Sequence, residues 1–219
     1  MKSILSNSSD ESQTDLSSVK DYFNIVLIGD SSVGKTSILE KYVNNIFNPE
    51  LQNKKIIDIY KKNISLYTNS YNLKFWDITK FIGKNDVSEI AMFYNCDGII
   101  FVSSYDDKKS LENLNIWYQL LIEYVDLSMK EMVWLINKND LKEGKVLTKE
   151  QIEKKSKDLQ LDYFEVSAKT GENIEYGIKN VVKKIIQRCN DNEDLSFDTS
   201  TADSVGDDDF EDKNKCSIF

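Results

Sequence analysis

Apolar residues recur along the chain in two rhythms. Short runs rich in β-branched and aromatic residues, at 22–28, 56–67, 71–77, 98–103, 132–137 and 163–166, have the length and composition of buried strands. Between most of them the apolar positions return every three or four residues, which predicts helices from about residue 35, over 111–124, near 148–159 and from about 173 to 188. Strands alternating with helices imply a mostly parallel sheet covered on both faces. The second and third runs are separated only by Thr68, Asn69 and Ser70. That is too short for a crossover helix, so the pair is expected to form an antiparallel hairpin at one end of the sheet. The predicted fold class is α/β, a six-stranded, mostly parallel, doubly wound sheet with one antiparallel strand.

Both ends of the chain fall outside this rhythm. Residues 1–20 are Ser-rich and polar, with little that could pack, and read as a disordered arm. Beyond Asn190 the composition shifts abruptly, with ten acidic residues between Asp191 and Asp212, so 190–219 reads as a disordered acidic tail. One folded domain over 21–189 remains, and no internal repeat divides it. A composition 40% apolar, with 11 Tyr and 10 Phe, supplies it with a sizeable core.

Charge and rare residues narrow the function. With 28 basic against 37 acidic residues, the net charge of -9 repels nucleic acid and anionic lipid, so no nucleic-acid partner is expected. The chain has no histidine, which removes imidazole acid-base chemistry and His metal sites. Its three cysteines, Cys96, Cys189 and Cys216, are odd in number and far apart, which argues for a reducing compartment. The start lacks an apolar targeting segment and no apolar run approaches 20 residues, so a cytoplasmic protein that spans no membrane is expected.

The most specific motif follows the first strand. Gly29-Asp30-Ser31-Ser32-Val33-Gly34-Lys35-Thr36 fits G-x-x-x-x-G-K-[ST] at every fixed position and opens a helix through Ser37. Such a loop uses glycines so that backbone N–H groups can turn inward around phosphates, at the positive end of the following helix. Lys35 would bring a point charge to the β- and γ-phosphates and the Thr36 hydroxyl would ligate Mg²⁺. A tight Gly-containing turn would not require Lys-Thr beside the second Gly.

Two later segments indicate the base. Asn137-Lys138-Asn139-Asp140 follows the fifth strand and Ser167-Ala168-Lys169 the sixth, both at strand C-terminal ends, where open α/β sheets bind ligands. A carboxylate such as Asp140 can accept hydrogen bonds from the N1–H and 2-amino group of guanine. Adenine presents neither donor there and would leave a buried carboxylate unpaired. Lys138 can lay its stem along the base, Asn137 can tie neighbouring loops together, and the Ala168 N–H can meet the guanine 6-oxygen. Each segment alone is weak; in this order, about 100 residues beyond the phosphate loop, they are strong together.

With these motifs the chain resembles the Ras-like small GTPases, most closely the Rab branch, over roughly residues 21–189. The resemblance implies GTP or GDP with Mg²⁺ as ligands. It also implies a site built from Asp30, Ser31, Ser32, Val33, Gly34, Lys35, Thr36, Ser37, Asn137, Lys138, Asp140, Ser167, Ala168 and Lys169, with Phe47 stacked near the base and Asp77 holding Mg²⁺ through water. It further implies a monomeric switch that recruits effector and regulator proteins to membranes in vesicle traffic. A Rab-like hydrophobic surface is partly visible in Trp76 and in Ile57-Asp58-Ile59, although Trp76 could equally be core packing.

The same comparison exposes two departures. The place of the switch-one threonine that ligates Mg²⁺ is occupied by Lys54, and no Ser or Thr occurs between Ser37 and Ser65. The expected Asp-x-x-Gly-Gln reads Asp77-Ile78-Thr79-Lys80-Phe81, so the water-orienting Gln is replaced by a side chain with no polar atom. No catalytic residue is assigned, and very slow hydrolysis is expected; even intact small GTPases turn over at about 10⁻⁴ per second unaided. Lys54 or Lys80 could replace lost charge at the γ-phosphate, or both could be solvated surface residues. An ammonium cannot copy hydroxyl ligation of a metal, because it has no acceptor. Two readings stay open: a weakly hydrolysing GTP switch, and a non-hydrolysing, nucleotide-stabilised interaction module.

The last four residues, Cys216-Ser217-Ile218-Phe219, match a C-a-a-X signal, with Phe favouring a geranylgeranyl chain on Cys216. A single lipid normally needs a second signal, and only Lys213 and Lys215 offset the acidic surroundings. Reversible attachment to the cytosolic face of an intracellular membrane is therefore expected. Cys189, closing the last helix, is expected to be structural.

Overall fold

The computed structural model describes residues 22–50, 56–78, 87–123 and 125–198. The elements run β1 (Phe23–Ile28), α1 (Lys35–Leu39), β2 (Ile57–Leu66), β3 (Asn69–Ile78), α2 (Val87–Asn95), β4 (Gly98–Ser104), α3 (Lys108–Glu112), α4 (Leu114–Ile122), β5 (Glu131–Asn137), α5 (Lys149–Leu159), β6 (Asp162–Glu165) and α6 (Ile174–Asp198). Helix α1 continues as a wider π-helical turn over Glu40–Asn44 and stops at Asn45, which is left-handed at φ 56°.

The sheet order is β2-β3-β1-β4-β5-β6, parallel except for β2 against β3. Strand β1 is central because its apolar run is usable on both faces. Ile25 and Leu27 enter a cluster completed by α1 and α6, while Val26 and Ile28 enter a second one beneath α2, α4 and α5. Each fully buried aliphatic side chain of this kind contributes about 1.5–3 kcal/mol. Edge strand β2 instead alternates, with Lys61, Asn63 and Ser65 exposed between better covered neighbours.

The six strands and the antiparallel hairpin stand as expected, with several shifts at the boundaries. The hairpin turns on Tyr67 and Thr68 alone, since Leu66 already pairs with Asn69, and Tyr67 accepts a left-handed φ of 55°. The helix predicted over 111–124 begins earlier and is broken at Asn113. Asp107 caps α3 by accepting from the Lys109 N–H at 2.9 Å, four residues before the first apolar position that marks the helix. Helix α2 was not among the predicted elements. The last helix, predicted to end at Arg188, runs on to Asp198; no Gly or Pro interrupts residues 178–205, and an acidic composition alone does not stop a helix. The N-terminal arm, residues 199–219, Lys54 and the segment 79–86 lie outside the described residues. No helix among the described residues is long and apolar enough to cross a membrane.

Candidate functional site

Because β1, β4, β5 and β6 run parallel, the loops leaving their C-terminal ends share one edge of the sheet. The loop after β1 turns sharply at Gly29 (φ 141°) and again at Ser32 (φ 65°) and Gly34 (φ 95°). A Cβ on Gly29 would lie 2.1 Å from the Val102 carbonyl oxygen, and one on Gly34 would lie 2.2 Å from Asn137 Nδ2. Both positions thus require glycine for space as well as for dihedral angle. The curled backbone is the shape in which peptide N–H groups converge on an anion.

Lys35, only 4% exposed, donates to the Gly29 carbonyl at 2.7 Å and to the Asp30 carbonyl at 2.8 Å, so its ammonium lies across the loop it follows. Burial lowers its pKa to about 8, against the opposing pull of Asp77 and Asp30. A partly desolvated cation of this kind gains from an incoming polyanion. The Thr36 hydroxyl contacts the Asp77 carboxylate, and Asp77 is fully buried at the end of β3. Hydroxyl and carboxylate side by side are a hard oxygen pair suited to Mg²⁺. Among the described residues no cluster of three His, Cys, Asp or Glu could hold a metal, so a cation here would complete its shell from phosphate and water.

A cavity of about 910 Å³ extends from this loop to the ends of β5 and β6. Of the residues proposed from sequence, Ser31, Ser32, Gly34, Lys35, Thr36, Ser37, Phe47, Asn137, Lys138, Asp140, Ala168 and Lys169 line it. Asp30, Val33, Ser167 and the metal residue Asp77 do not. Val33 is buried in the core, Ser167 lies fully buried behind Asp140, and the Asp30 carboxylate faces α4. Asn48, Pro49 and Leu141 also line the cavity and carried no motif that would have marked them.

At the far end, Asp140 is fixed by the Ser167 hydroxyl, which donates to its Oδ1 at 2.6 Å, and Lys169 stands 3.9 Å from its Oδ2. Asn137 is a strut: its Nδ2 donates to the Val33 carbonyl at 2.9 Å and its Oδ1 accepts from the Ala168 N–H at 3.0 Å. The Ala168 N–H, expected at the guanine 6-oxygen, is therefore engaged by Asn137. The reason is that the buried Asn137 carbonyl oxygen needs a donor of its own. Lys138, in the left-handed region at φ 66°, reaches out of the cavity to Asp106 at 2.8 Å. Burial would raise the Asp106 carboxyl, yet hydrogen bonds from Lys138 and Ser104 outweigh it and hold the group below its usual range. Neither Asp106 nor Ser104 was legible as part of the site, because only the β4–β5 register brings them beside Lys138.

On the sheet edge, Ile59 pairs with Trp76 across β2 and β3, with Ile59 44% exposed. Trp76 is half-buried, donates to Asn24 Oδ1 at 3.3 Å and carries Lys74 over its ring. It packs against the core with one side and faces outward with the other.

The sheet, the loop between β1 and α1, and the paired loops after β5 and β6 define a P-loop nucleotide-binding protein of the small-GTPase type. The sequence model of the Ras family matches residues 24–187. Ras-related protein Rab-13 of Bos taurus is 28% identical over 204 residues, 90% of this chain and 96% of its own. Ras-related proteins RabG2 of Dictyostelium discoideum and Rab-10 of Diplobatis ommata are each 30% identical, over 75% and 76% of this chain and 83% and 82% of theirs. The chain belongs to the Ras family and is a small GTP-binding protein of Rab type.

Proposed function

We propose that this protein is a guanine-nucleotide switch of intracellular membrane traffic. It binds GTP or GDP with Mg²⁺, recruits effectors as a monomer, and is tethered reversibly to the cytosolic face of a membrane by a prenyl group on Cys216. The observation that carries this reading is one continuous cavity with Lys35, Thr36 and Ser37 at one end and Asp140 and Phe47 at the other. Cation and hydroxyl suit a polyphosphate with its metal; a carboxylate fixed by Ser167 suits the two donors on the Watson–Crick edge of guanine. The exposed Ile59 beside Trp76 supports an effector surface next to the switch segments.

Hydrolysis is proposed to be slow. Phe81 stands where the family's water-orienting Gln is expected and Lys54 where its metal-ligating Thr is expected. Extracting and chromatographing the nucleotide that co-purifies with the full chain tests the first claim: guanine nucleotide is expected, and adenine nucleotide overturns it. Phosphate release in a single turnover tests the second, and an ordinary small-GTPase rate overturns slow hydrolysis.

Those same departures support a second reading, a nucleotide-stabilised interaction module that hydrolyses nothing. Partner capture with GDP-loaded and non-hydrolysable-GTP-loaded protein separates the two. Unequal capture supports the switch and equal capture supports the module. Mass spectrometry of the chain from a prenylating host, with Cys216→Ser beside it, tests the lipid; an unmodified wild-type terminus overturns it.

A further inference from the structure

Asp30 places a carboxylate in the loop that is to hold phosphates. Its backbone carbonyl accepts from Lys35 Nζ at 2.8 Å, yet its side chain turns the other way. Oδ2 accepts from Asn113 Nδ2 at 2.7 Å and Oδ1 from Trp117 Nε1 at 2.8 Å. Asn113 ends α3 and Trp117 lies one turn on in α4, so the two donors share one helix face, as residues four apart do. Both carboxylate oxygens are taken by Asn113 and Trp117, and Asp30 is absent from the cavity wall to which Ser31 and Ser32 belong.

We infer that Asn113 and Trp117 are positioning residues for nucleotide retention: by holding the Asp30 carboxylate against α4, they keep its charge off the phosphate site and brace the loop backbone that grips Lys35. The inference rests on the cavity holding a guanine nucleotide. A charge in this place acts on the loop, since Asp30 is one of the two carboxylates that oppose the lowering of the Lys35 pKa by burial. Released from its two donors, the carboxylate would be free to approach the cavity and repel phosphate oxygens. Repulsion grows with ligand charge, so a triphosphate suffers more than a diphosphate. Asn113 and Trp117 do not themselves border the cavity, and their effect passes through Asp30.

The test is release of N-methylanthraniloyl-GDP, and separately of the same derivative of a non-hydrolysable GTP analogue, from the full chain during a chase with unlabelled nucleotide. Asn113→Ala and Trp117→Phe together are expected to speed release by about tenfold or more, the worth of one or two hydrogen bonds to a charged group. The increase is expected to be larger for the triphosphate. Adding Asp30→Asn to the pair removes the liberated charge and is expected to slow release again, which loss of helix packing alone would not do. Release from the double variant at the wild-type rate overturns the inference, and so does a triple variant that releases as fast as the double. Should the double variant lose its far-UV helix signal, Trp117→Phe, which keeps an aromatic ring in place, carries the test with and without Asp30→Asn on the same two criteria. A wild-type chain that binds neither labelled nucleotide overturns the nucleotide reading itself, an outcome distinct from both.

Discussion

The side-chain amide of Asn137 donates to the carbonyl of Val33 at 2.9 Å across 104 residues of sequence, joining the loop built for phosphate to the loop built for the base. The other end of the same amide accepts from the Ala168 N–H at 3.0 Å, so three loops meet at one buried residue.

Removing that amide leaves the Val33 carbonyl and the Ala168 N–H without their shared partner. A buried polar group left unsatisfied costs about 1–3 kcal/mol. Asn137→Ala is expected to speed nucleotide release by about one to two orders of magnitude. It is also expected to lower the melting temperature of the nucleotide-bound protein by several degrees. Stopped-flow release and thermal unfolding at saturating nucleotide measure both, and wild-type values in both would show that the strut is not needed.

The Lys138–Asp106 contact should be worth far less. Its side chains are 32% and 38% exposed, and exposed ion pairs contribute about 0–1 kcal/mol, less in salt. Asp106→Ala is expected to weaken guanine-nucleotide affinity by less than about tenfold, through a looser Lys138 stem, with the difference shrinking at high ionic strength. Titration of labelled GDP at two salt concentrations measures it. A loss of about a thousandfold would show that Asp106 does more than steady the lysine.

How much of this was readable beforehand depends on how far apart the interacting residues lie. The Gly29–Thr36 loop is a contiguous pattern whose geometry is set by two glycines and a lysine, so it could be read directly. The base loops were legible as residue types, but not in their bonding. Nothing local tells that the Ala168 N–H will be taken by Asn137, or that Ser167 will act only behind Asp140. The grip of Asn113 and Trp117 on Asp30 spans 83 and 87 residues and exists only because α4 packs beside the first loop. Helix boundaries failed where polar residues decide them: Asp107 starts α3 ahead of its apolar face, and the acidic run past Asn190 continues α6.

Helix α5 offers a stability test remote from the cavity. Thr148 accepts from the Gln151 N–H at 3.3 Å, and the Gln151 side chain accepts from the Thr148 N–H at 3.0 Å, a complete capping box. Thr148→Ala is expected to cost about 1 kcal/mol. In a domain of this size that lowers the melting temperature by about 2–4 °C. Nucleotide release should stay at the wild-type rate, because neither residue touches the cavity. A thermal melt and the release assay check the two halves, and faster release would mean that α5 is coupled to the site.

Lys35 makes nucleotide affinity depend on pH in a defined direction. In the nucleotide-free protein burial lowers its pKa to about 8, from a usual 10.5. A bound polyanion favours the ammonium and raises that pKa, so the complex holds more proton than the free protein above pH 8. By linkage, affinity is fully present below about pH 8 and declines as pH rises through it, by up to about tenfold per pH unit until the pKa of the complex is reached. Calorimetry at pH 8.5 in two buffers of different ionisation enthalpy should reveal proton uptake on GDP binding, and Lys35→Met should abolish both the uptake and the slope. For folding of the nucleotide-free chain the sign reverses. The unfolded state binds the extra proton between about pH 8 and the onset of tyrosine ionisation near pH 10, so stability rises with pH there. Above that, Tyr42, whose pKa burial raises, holds its proton longer folded than unfolded, and stability falls. Urea unfolding of nucleotide-free wild type and Lys35→Met at pH 7 and pH 9.5 isolates the lysine. Parallel stability curves for the two proteins would refute a titrating, buried Lys35 and leave the affinity slope without its cause.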